Sequence, residues 1–334
     1  METKQLPVND PFLKGYVHHA CCFSIIDPLN NEQDALWFAN QFIQLTCQTN
    51  IGLNRSAQLD FVHETFFAAY DYLLTIQNLH KNIIKKYTGG VIGFVIDRIN
   101  EDNYIELMVN EFHLPGSPSY QMKDHNHNIF IYGYNVNEEL VYARYMHNGS
   151  FSDAALPYRT IETAFQTTND RSEWSQYTKL YKKKTGAITF DGKRFFGYIA
   201  DYLNASCYFR EDDDKAYGIA VYHYIIDYFD RLEHNETSDD IRILHLLWEH
   251  KRSMSHSMHY LSNNRLMDIE SAVIEQVDTI ENQTLLLRNL HLKKQIKQDK
   301  LSIKKIKEQL IAIKERETML YTRLAEKRDN LVIY

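Results

Sequence analysis

Two histidines and two adjacent cysteines lie close together near the amino terminus, in the segment YVHHACCFSIID (residues 16–27). A thiol is activated as a nucleophile in the first turn of a helix, where unpaired backbone N–H groups stabilise the thiolate and can hold an oxyanion. It also needs an imidazole to take its proton. His127 begins the apolar segment HNIFIYGYN and can supply that imidazole. The pattern therefore predicts a catalytic pair of His127 with Cys22 or Cys21.

The two cysteines leave two interpretations open. Adjacent positions on a helix point to different faces, so at most one of these thiols can be the nucleophile. Cys22 is favoured because Phe23 and Ile26 flank it with helical spacing. In the alternative interpretation, Cys21 and Cys22 are small apolar residues of a buried core helix, and His127 bonds to backbone where a strand begins.

The 15 histidines of the chain do not form a recognised metal signature. The segment HLLWEH (245–250) has a His-to-Glu spacing one residue longer than the HxxEH zinc helix, and HExxH is absent. On a helix His245 and Glu249 share a face, whereas His250 is turned away from Glu249. The glycine-rich segment TGGVIGF leads into a predicted strand, so it does not fit a phosphate-binding loop. We therefore expect no metal ion and no cofactor.

The composition indicates a globular protein with a sizeable core. The chain has 334 residues, 44% of them hydrophobic, which suits one large domain or two ordinary ones. Its net charge of −7 argues against nucleic acid or an anionic lipid surface as the main partner. It has no apolar run of the ~18 to 20 residues that a membrane span needs, and no secretory signal. Four cysteines without a CxxC pair favour a reducing compartment, so we predict a cytoplasmic location.

The hydrophobic pattern of the first two thirds predicts an α+β arrangement. Residues 59–87 show a long apolar stripe that ends in basic residues and Gly89-Gly90, which predicts a long helix. Short β-branched or aromatic segments separated by turn residues then predict strands, and their short connections favour antiparallel pairing. These segments are VIGFVID (91–97), YIELMVN (104–110), HNIFIYGYN (127–135), LVYARYM (140–146) and ITFDG (188–192).

The last third returns to helical spacing, in residues 217–233 and 240–261 and again from 269 to 328, where Gly and Pro are absent. Apolar residues then alternate at three- and four-residue steps, with Asp299 and Glu317 at two positions of the seam. The apolar members are Leu292, Ile296, Ile303, Ile306, Leu310, Ile313, Leu320 and Leu324. This seam predicts a helical hairpin or coiled coil that packs against its own domain or a second subunit. We expect a domain at 1–215 and a helical region at 216–334.

Three longer segments carry a resemblance to a known family: residues 110–135, residues 139–165, and ILHLLWEHKRSM at 243–254. Together they resemble bacterial proteins grouped with the butirosin biosynthesis protein H N-terminal domain, over residues 10 to 260. These proteins are similar to papain-like cysteine peptidases and occur beside peptide natural-product pathways. The resemblance implies a papain-like α+β fold of amino-terminal helices and an antiparallel sheet. It also implies acyl transfer from a carrier-protein thioester to an amine, with an acyl- or peptidyl-carrier protein as partner.

The sequence departs from the family pattern at two positions of the expected site. The residue that orients the imidazole is usually acidic, but Arg144 stands there, and a cation would lower the basicity of His127. No Gln at residues 14–16 matches the oxyanion donor of papain-like enzymes. We therefore weigh two functions. The first is a papain-like acyltransferase or peptidase acting on carrier-bound peptide or acyl intermediates in antibiotic and nonribosomal peptide biosynthesis. The second is an inactive papain-like module for binding or for homodimerisation through the carboxy-terminal helices.

Overall fold

The computed structural model describes residues 2–50, 58–62, 68–169, 173–209, 212–297 and 301–326. It is a mixed α/β structure with antiparallel sheets and a helical carboxy-terminal region. The chain divides into two compact units, and each is made of two separate segments. The first unit comprises Met1–Asp27 with Tyr70–Gly186, and the second comprises Pro28–Ala69 with Ala187–Tyr334. Within the described part of the chain, no helix is long and apolar enough to cross a lipid bilayer.

The helices and strands are numbered in chain order. The helices are α1 (Val17–Phe23), α2 (Glu32–Ala39), α3 (Lys81–Lys85), α4 (Gly90–Asn100), α5 (Tyr158–Gln166), α6 (Gly192–Leu203), α7 (Val221–Glu233), α8 (Arg242–Asn263), α9 (Ser271–Lys297) and α10 (Leu301–Glu326). The strands are β1 (Thr3–Gln5), β2 (Leu45–Gln48), β3 (Asp60–Phe61), β4 (Leu74–His80), β5 (Tyr104–Asn110), β6 (Asn126–Asn135), β7 (Leu140–His147), β8 (Ser150–Pro157), β9 (Tyr177–Lys183) and β10 (Lys215–Tyr217).

The first unit is built on a seven-stranded antiparallel sheet in the order β4-β9-β5-β6-β7-β8. The first strand, β1, pairs with the end of β6 beyond a register shift between Ile131 and Gly133. Every side chain of β5 is buried, so both faces of this central strand are covered. The strands predicted at 104–110, 127–135 and 140–146 are confirmed.

Two of the predicted strands are wrong. Residues 91–97 lie inside α4, where burial recurs at Val91, Val95 and Ile99 with the period of a helix rather than of a strand. The β-branched composition of this segment was misleading because packing against α5, β5 and β6 decides its conformation. Residues 188–192 form no strand, since Asp191 instead accepts the backbone N–H of Arg194 as the N-cap of α6.

The long helix predicted over residues 59–87 is also wrong, although residues 63–67 lie outside the described part. The segment contains β3, β4 and α3. Strand β4 pairs along its whole length with β9, about a hundred residues later, and this long-range pairing overrides the local apolar stripe. Gly89 does not end that helix but precedes α4 with φ of 83°, a conformation that suits glycine. TGGVIGF therefore leads into a helix, yet it follows α3 rather than the strand of a phosphate loop.

The second unit combines the three-stranded antiparallel sheet β10-β2-β3 with α2 and α6–α10. The helices predicted in its last part are confirmed as α7, α8, α9 and α10. The seam was predicted to pack either against its own domain or against a second subunit. In the structure it packs within the second unit, because α10 contacts α9, α7 and α6. Buried seam side chains are Ile303, Ile306, Leu310, Ile313, Glu317, Leu320 and Leu324. These side chains are not available for the predicted homodimer. Asp299 lies outside the described residues.

The division into units differs from the predicted boundary at 215/216. Residues 28–69 and 187–215 belong to the same unit as the carboxy-terminal helices. The backbone of β10 pairs with β2, with Ala216 opposite Cys47, so the sheet of this unit joins residues far apart in sequence. Nothing in the sequence pattern indicated this arrangement, because the pairing of β2 with β10 is a tertiary contact between residues far apart in the chain.

Candidate functional site

The two predicted nucleophiles lie in the last turn of α1 rather than in its first. The helix begins at Val17, so Cys21 and Cys22 follow the turn whose N–H groups are unpaired. The negative end of the helix dipole disfavours a thiolate there. Both cysteines are fully buried. Burial, and secondly the charge of Glu106, raise the pKa of both thiols well above the usual value. The first requirement of the predicted nucleophile is not met.

A buried carboxylate stands beside these thiols. Glu106, at the centre of β5, is 1% exposed and accepts three hydrogen bonds. Its donors are the Lys179 ammonium at 2.5 Å, the Tyr181 hydroxyl at 2.5 Å and the Asn128 amide. Tyr181 and Glu106 are also close enough to the Cys22 thiol to influence its pKa. We call Glu106, Asn128, Lys179 and Tyr181 the Glu106 cluster. Its carboxylate is fully occupied by donors of the protein itself.

The Glu106 cluster identifies which face of the sheet α1 covers. Glu106 lies opposite Phe130 of β6 and opposite Lys179 of β9, so these side chains share a face. Asn128 and Tyr181 are two residues from these partners and lie on the same face, as their bonds to Glu106 show. Helix α1 packs on this side, since Arg144 lies opposite Phe130 on the same face and donates to Ser24 at the end of α1.

His127 projects from the opposite face of the sheet. It is one residue from Asn128 and lies opposite Val109 of β5. Its side chain is 32% exposed, and Nδ1 is 3.7 Å from a carboxylate oxygen of Glu111. Nδ1 is buried and lacks a hydrogen-bond partner among the described residues. The structure therefore does not bring His127 to Cys21 or Cys22, because the sheet separates them.

Arg144 also occupies a different place from the one expected. It lies opposite Phe130, on the face of the Glu106 cluster, and so it does not adjoin His127. Its guanidinium binds both carboxylate oxygens of Asp153, at 2.6 and 3.2 Å, and donates to Ser24 Oγ at 3.3 Å and to the Asn9 carbonyl. Burial alone would raise the pKa of Asp153, but these bonds and the Arg144 charge lower it. Arg144 thus joins β7 and β8 to the end of α1.

A second polar cluster lies in the core of the second unit, and sequence reasoning missed it. Lys251 of α8 and Glu317 of α10 form an ion pair at 2.5 Å, and the two side chains are 1% and 0% exposed. Tyr202 of α6 and Tyr222 of α7 donate to the other Glu317 oxygen at 3.0 and 2.8 Å. We call these four residues with His250 the Lys251 network. The only signal in the sequence was the acidic residue within an apolar seam.

The hydrogen bonds of the Lys251 network fix the protonation of His250. Nε2 of His250 is 2.7 Å from the Ile43 carbonyl and must donate to it. Nδ1 is then an acceptor for the Lys251 ammonium, 3.0 Å away. As predicted, His250 is turned away from Glu249, which instead lies 3.2 Å from His245. Burial, and secondly the Lys251 charge, lower the pKa of His250 well below the usual value.

We expect this histidine to make the second unit less stable in acid. The unfolded chain protonates His250 below pH ~6.5, whereas the folded chain keeps the ring neutral. The free energy of unfolding should therefore fall with decreasing pH by up to about 1.4 kcal/mol per pH unit until the folded ring titrates. Urea unfolding of the protein and of His250→Gln between about pH 7 and about pH 5 measures this contribution. Equal pH slopes in the two proteins would contradict the assignment.

The comparisons with known proteins add no family. No protein-family model matches the chain, and a search of curated proteins gives no match either.

Proposed function

We propose that this chain is a catalytically inactive protein of papain-like type that serves as a binding module. The observation that supports this most directly is the position of the predicted catalytic groups. Cys21 and Cys22 are buried in the last turn of α1 on one face of the sheet, and His127 projects from the other. The resemblance of three segments to the butirosin biosynthesis protein H family supports the papain-like part, as does a helix packed on an antiparallel sheet.

The setting proposed for this binding role follows from the same resemblance. The protein would act beside enzymes of peptide natural-product biosynthesis, with a carrier protein or a carrier-bound intermediate among its partners. None of the four cysteines, all of which lie in the described part of the chain, forms a disulfide, which supports a cytoplasmic location.

The proposal predicts that the thiols of α1 are inert in the folded protein. Cys21, Cys22 and Cys47 are buried, and burial raises the pKa of the Cys47 thiol to about 12. Cys207 is the one partly exposed thiol. Because thiolates and not thiols react with iodoacetamide, intact-mass analysis should show one fast adduct in the native protein and four in urea. If the fast adduct of the native protein is absent in Cys22→Ala and still forms in Cys207→Ala, then Cys22 is the reactive thiol and the prediction is wrong.

A direct test of catalysis uses an acylated carrier protein. After incubation with the full chain, intact-mass measurement should show no acyl group on the protein and unchanged acylated carrier. An acyl adduct that persists in Cys207→Ala and disappears in Cys21→Ala/Cys22→Ala would overturn the proposal in favour of the acyltransferase. A turnover that is lost in His127→Ala would do the same, since His127 has no catalytic partner in this geometry.

A further inference from the structure

One edge of the first unit is strongly basic. It is formed by β4, α3 and β9, and it includes the residues that directly follow α3 and β9. Residues 74–86 and 177–186 contain seven lysines and no acidic residue. The lysines are Lys81, Lys85, Lys86, Lys179, Lys182, Lys183 and Lys184. We call these two segments the basic edge. The rest of the chain has 30 basic and 44 acidic residues, so the basic edge stands out against an acidic protein.

Several of these lysines keep their charge facing outwards. Lys85, Lys86, Lys182 and Lys184 are exposed. Lys182 donates to the backbone carbonyl of Glu101 at 2.9 Å, and Lys184 donates to a backbone carbonyl as well. The bond of Lys184 orients its ammonium without neutralising it. The Lys182 ammonium, in contrast, also interacts with the nearby Asp102 carboxylate, whose pKa is lowered mainly by Lys4 and in smaller part by Lys182. Lys179 differs, because its charge is compensated by Glu106. The exposed lysines can therefore attract an anionic partner.

The strand at this edge offers backbone groups for pairing. Among the described residues, β4 is the end strand of the sheet and pairs with β9 alone. The carbonyl of Leu73 accepts the N–H of Lys184. In an antiparallel pair, every second residue bonds to the neighbouring strand, so this bond fixes which residues of β4 bond to β9. The residues Leu74, Ile76 and Asn78 therefore direct their N–H and C=O groups away from β9 and towards the open edge.

Strand β4 lacks the features that usually protect an edge. It runs for seven residues in continuous register, and its sequence LTIQNLH contains no lysine, proline or acidic residue. Natural edge strands are usually shortened, bulged or charged to prevent pairing with other chains. The side chains of Thr75, Gln77 and Asn78 are exposed. The lysines of the basic edge lie beside β4 rather than within it. There they do not block the pairing of a further strand, but they favour one with acidic side chains.

We propose that β4 binds an extended acidic segment of a partner protein, which adds to the sheet as an eighth strand. The added strand would lie about 10 Å from β9. A lysine and a glutamate side chain together span this distance, and Lys184, which bonds to the backbone carbonyl of Asp71 just before β4, is directed towards the β4 side of β9. Main-chain bonds would provide affinity, and the lysines would select acidic side chains. This inference rests on the proposed binding role and names its partner as an acidic peptide.

The probe is a short fluorescent peptide in which valine alternates with glutamate, compared with one in which valine alternates with glutamine. Fluorescence anisotropy with the full chain should show tighter binding of the glutamate peptide by about tenfold, decreasing as salt is added. Replacing three exposed lysines, in Lys85→Gln/Lys86→Gln/Lys184→Gln, should remove most of this preference. Equal binding of the two peptides, or no binding of either, would overturn the proposal.

A second variant separates strand addition from simple charge attraction. Asn78→Pro removes an outward N–H and leaves the ladder with β9 intact, and proline is tolerated at such edge positions. It should weaken the glutamate peptide about tenfold or more, whereas Asn78→Ala should bind like the original chain. Circular dichroism checks that both variants fold. Unchanged binding in Asn78→Pro would overturn strand addition. This outcome can be told apart from that of the acyl-carrier test. An acyl adduct would refute the proposal that the protein is catalytically inactive, whereas only the peptide-binding measurements decide whether β4 binds an added strand.

Discussion

Glu317→Leu should lower the free energy of unfolding of the second unit by about 3–5 kcal/mol. The change leaves the Lys251 ammonium without its counter-charge in a site that is 1% exposed. It also removes the acceptor of the Tyr202 and Tyr222 hydroxyls. Burial lowers the pKa of Lys251, and the Glu317 carboxylate opposes that shift, so removal of Glu317 favours a neutral lysine or a locally opened core.

The matched controls are a second substitution on the same helix and a double variant. Glu315→Leu, at an exposed position of α10, should change stability by no more than about 0.5 kcal/mol. Lys251→Met/Glu317→Leu replaces both charges and should cost less than Glu317→Leu alone. Urea unfolding followed by far-ultraviolet circular dichroism measures all three. Equal costs for Glu315→Leu and Glu317→Leu would contradict the role of the network.

Lys179→Met should destabilise the first unit by about 3 kcal/mol. Glu106 is 1% exposed, and without Lys179 it keeps only the neutral donors Tyr181 and Asn128. The reverse change, Glu106→Gln, should cost less, because the Lys179 side chain is 17% exposed and can turn towards water. This asymmetry distinguishes a buried carboxylate from a surface ion pair, for which both changes are small.

The control for this pair lies on the same strand. Lys182 of β9 is exposed and bonds to a backbone carbonyl, so Lys182→Met should remain within about 0.5 kcal/mol of the original stability. Chemical unfolding monitored by circular dichroism compares the three variants. A cost for Lys179→Met as small as that for Lys182→Met would show that Glu106 does not depend on its buried partner.

The sequence predicted elements whose pattern is local. Strand β5 was recognisable from a short run of β-branched and aromatic residues, and α8 from its helical spacing. The alternation of YIELMVN even implies that Glu106 and Leu107 point to opposite faces. It does not reveal which face α1 covers, because that depends on tertiary packing. For this reason the sequence alone could not place Cys21 and Cys22 relative to His127.

The remaining differences also arise from long-range contacts. Strand β4 exists because β9 pairs with it, and the apolar residues of β4 resemble one side of a helix when β9 is ignored. The position of Cys22 in α1 depends on where the helix begins, and Tyr16 supplies no side-chain cap that would mark the start. Lys251 and Glu317 lie on different helices, so their pairing was not readable from spacing.

The interleaved segments of the two units have a consequence for synthesis on the ribosome. The chain leaves the first unit after Asp27 and returns to it at Tyr70, and the partners β10 and α8 of this intervening segment are made only after the first unit. Helix α2 contacts α8, and the carbonyl of Ile43 accepts its hydrogen bond from the imidazole of His250. The nascent chain can complete the first unit once Gly186 has emerged, whereas β2 lacks its partner β10 until Tyr217 is made and α2 lacks α8 until Asn263 is made. A chaperone that binds unfolded segments during translation would thus act on residues 28–69 before any other part of the chain.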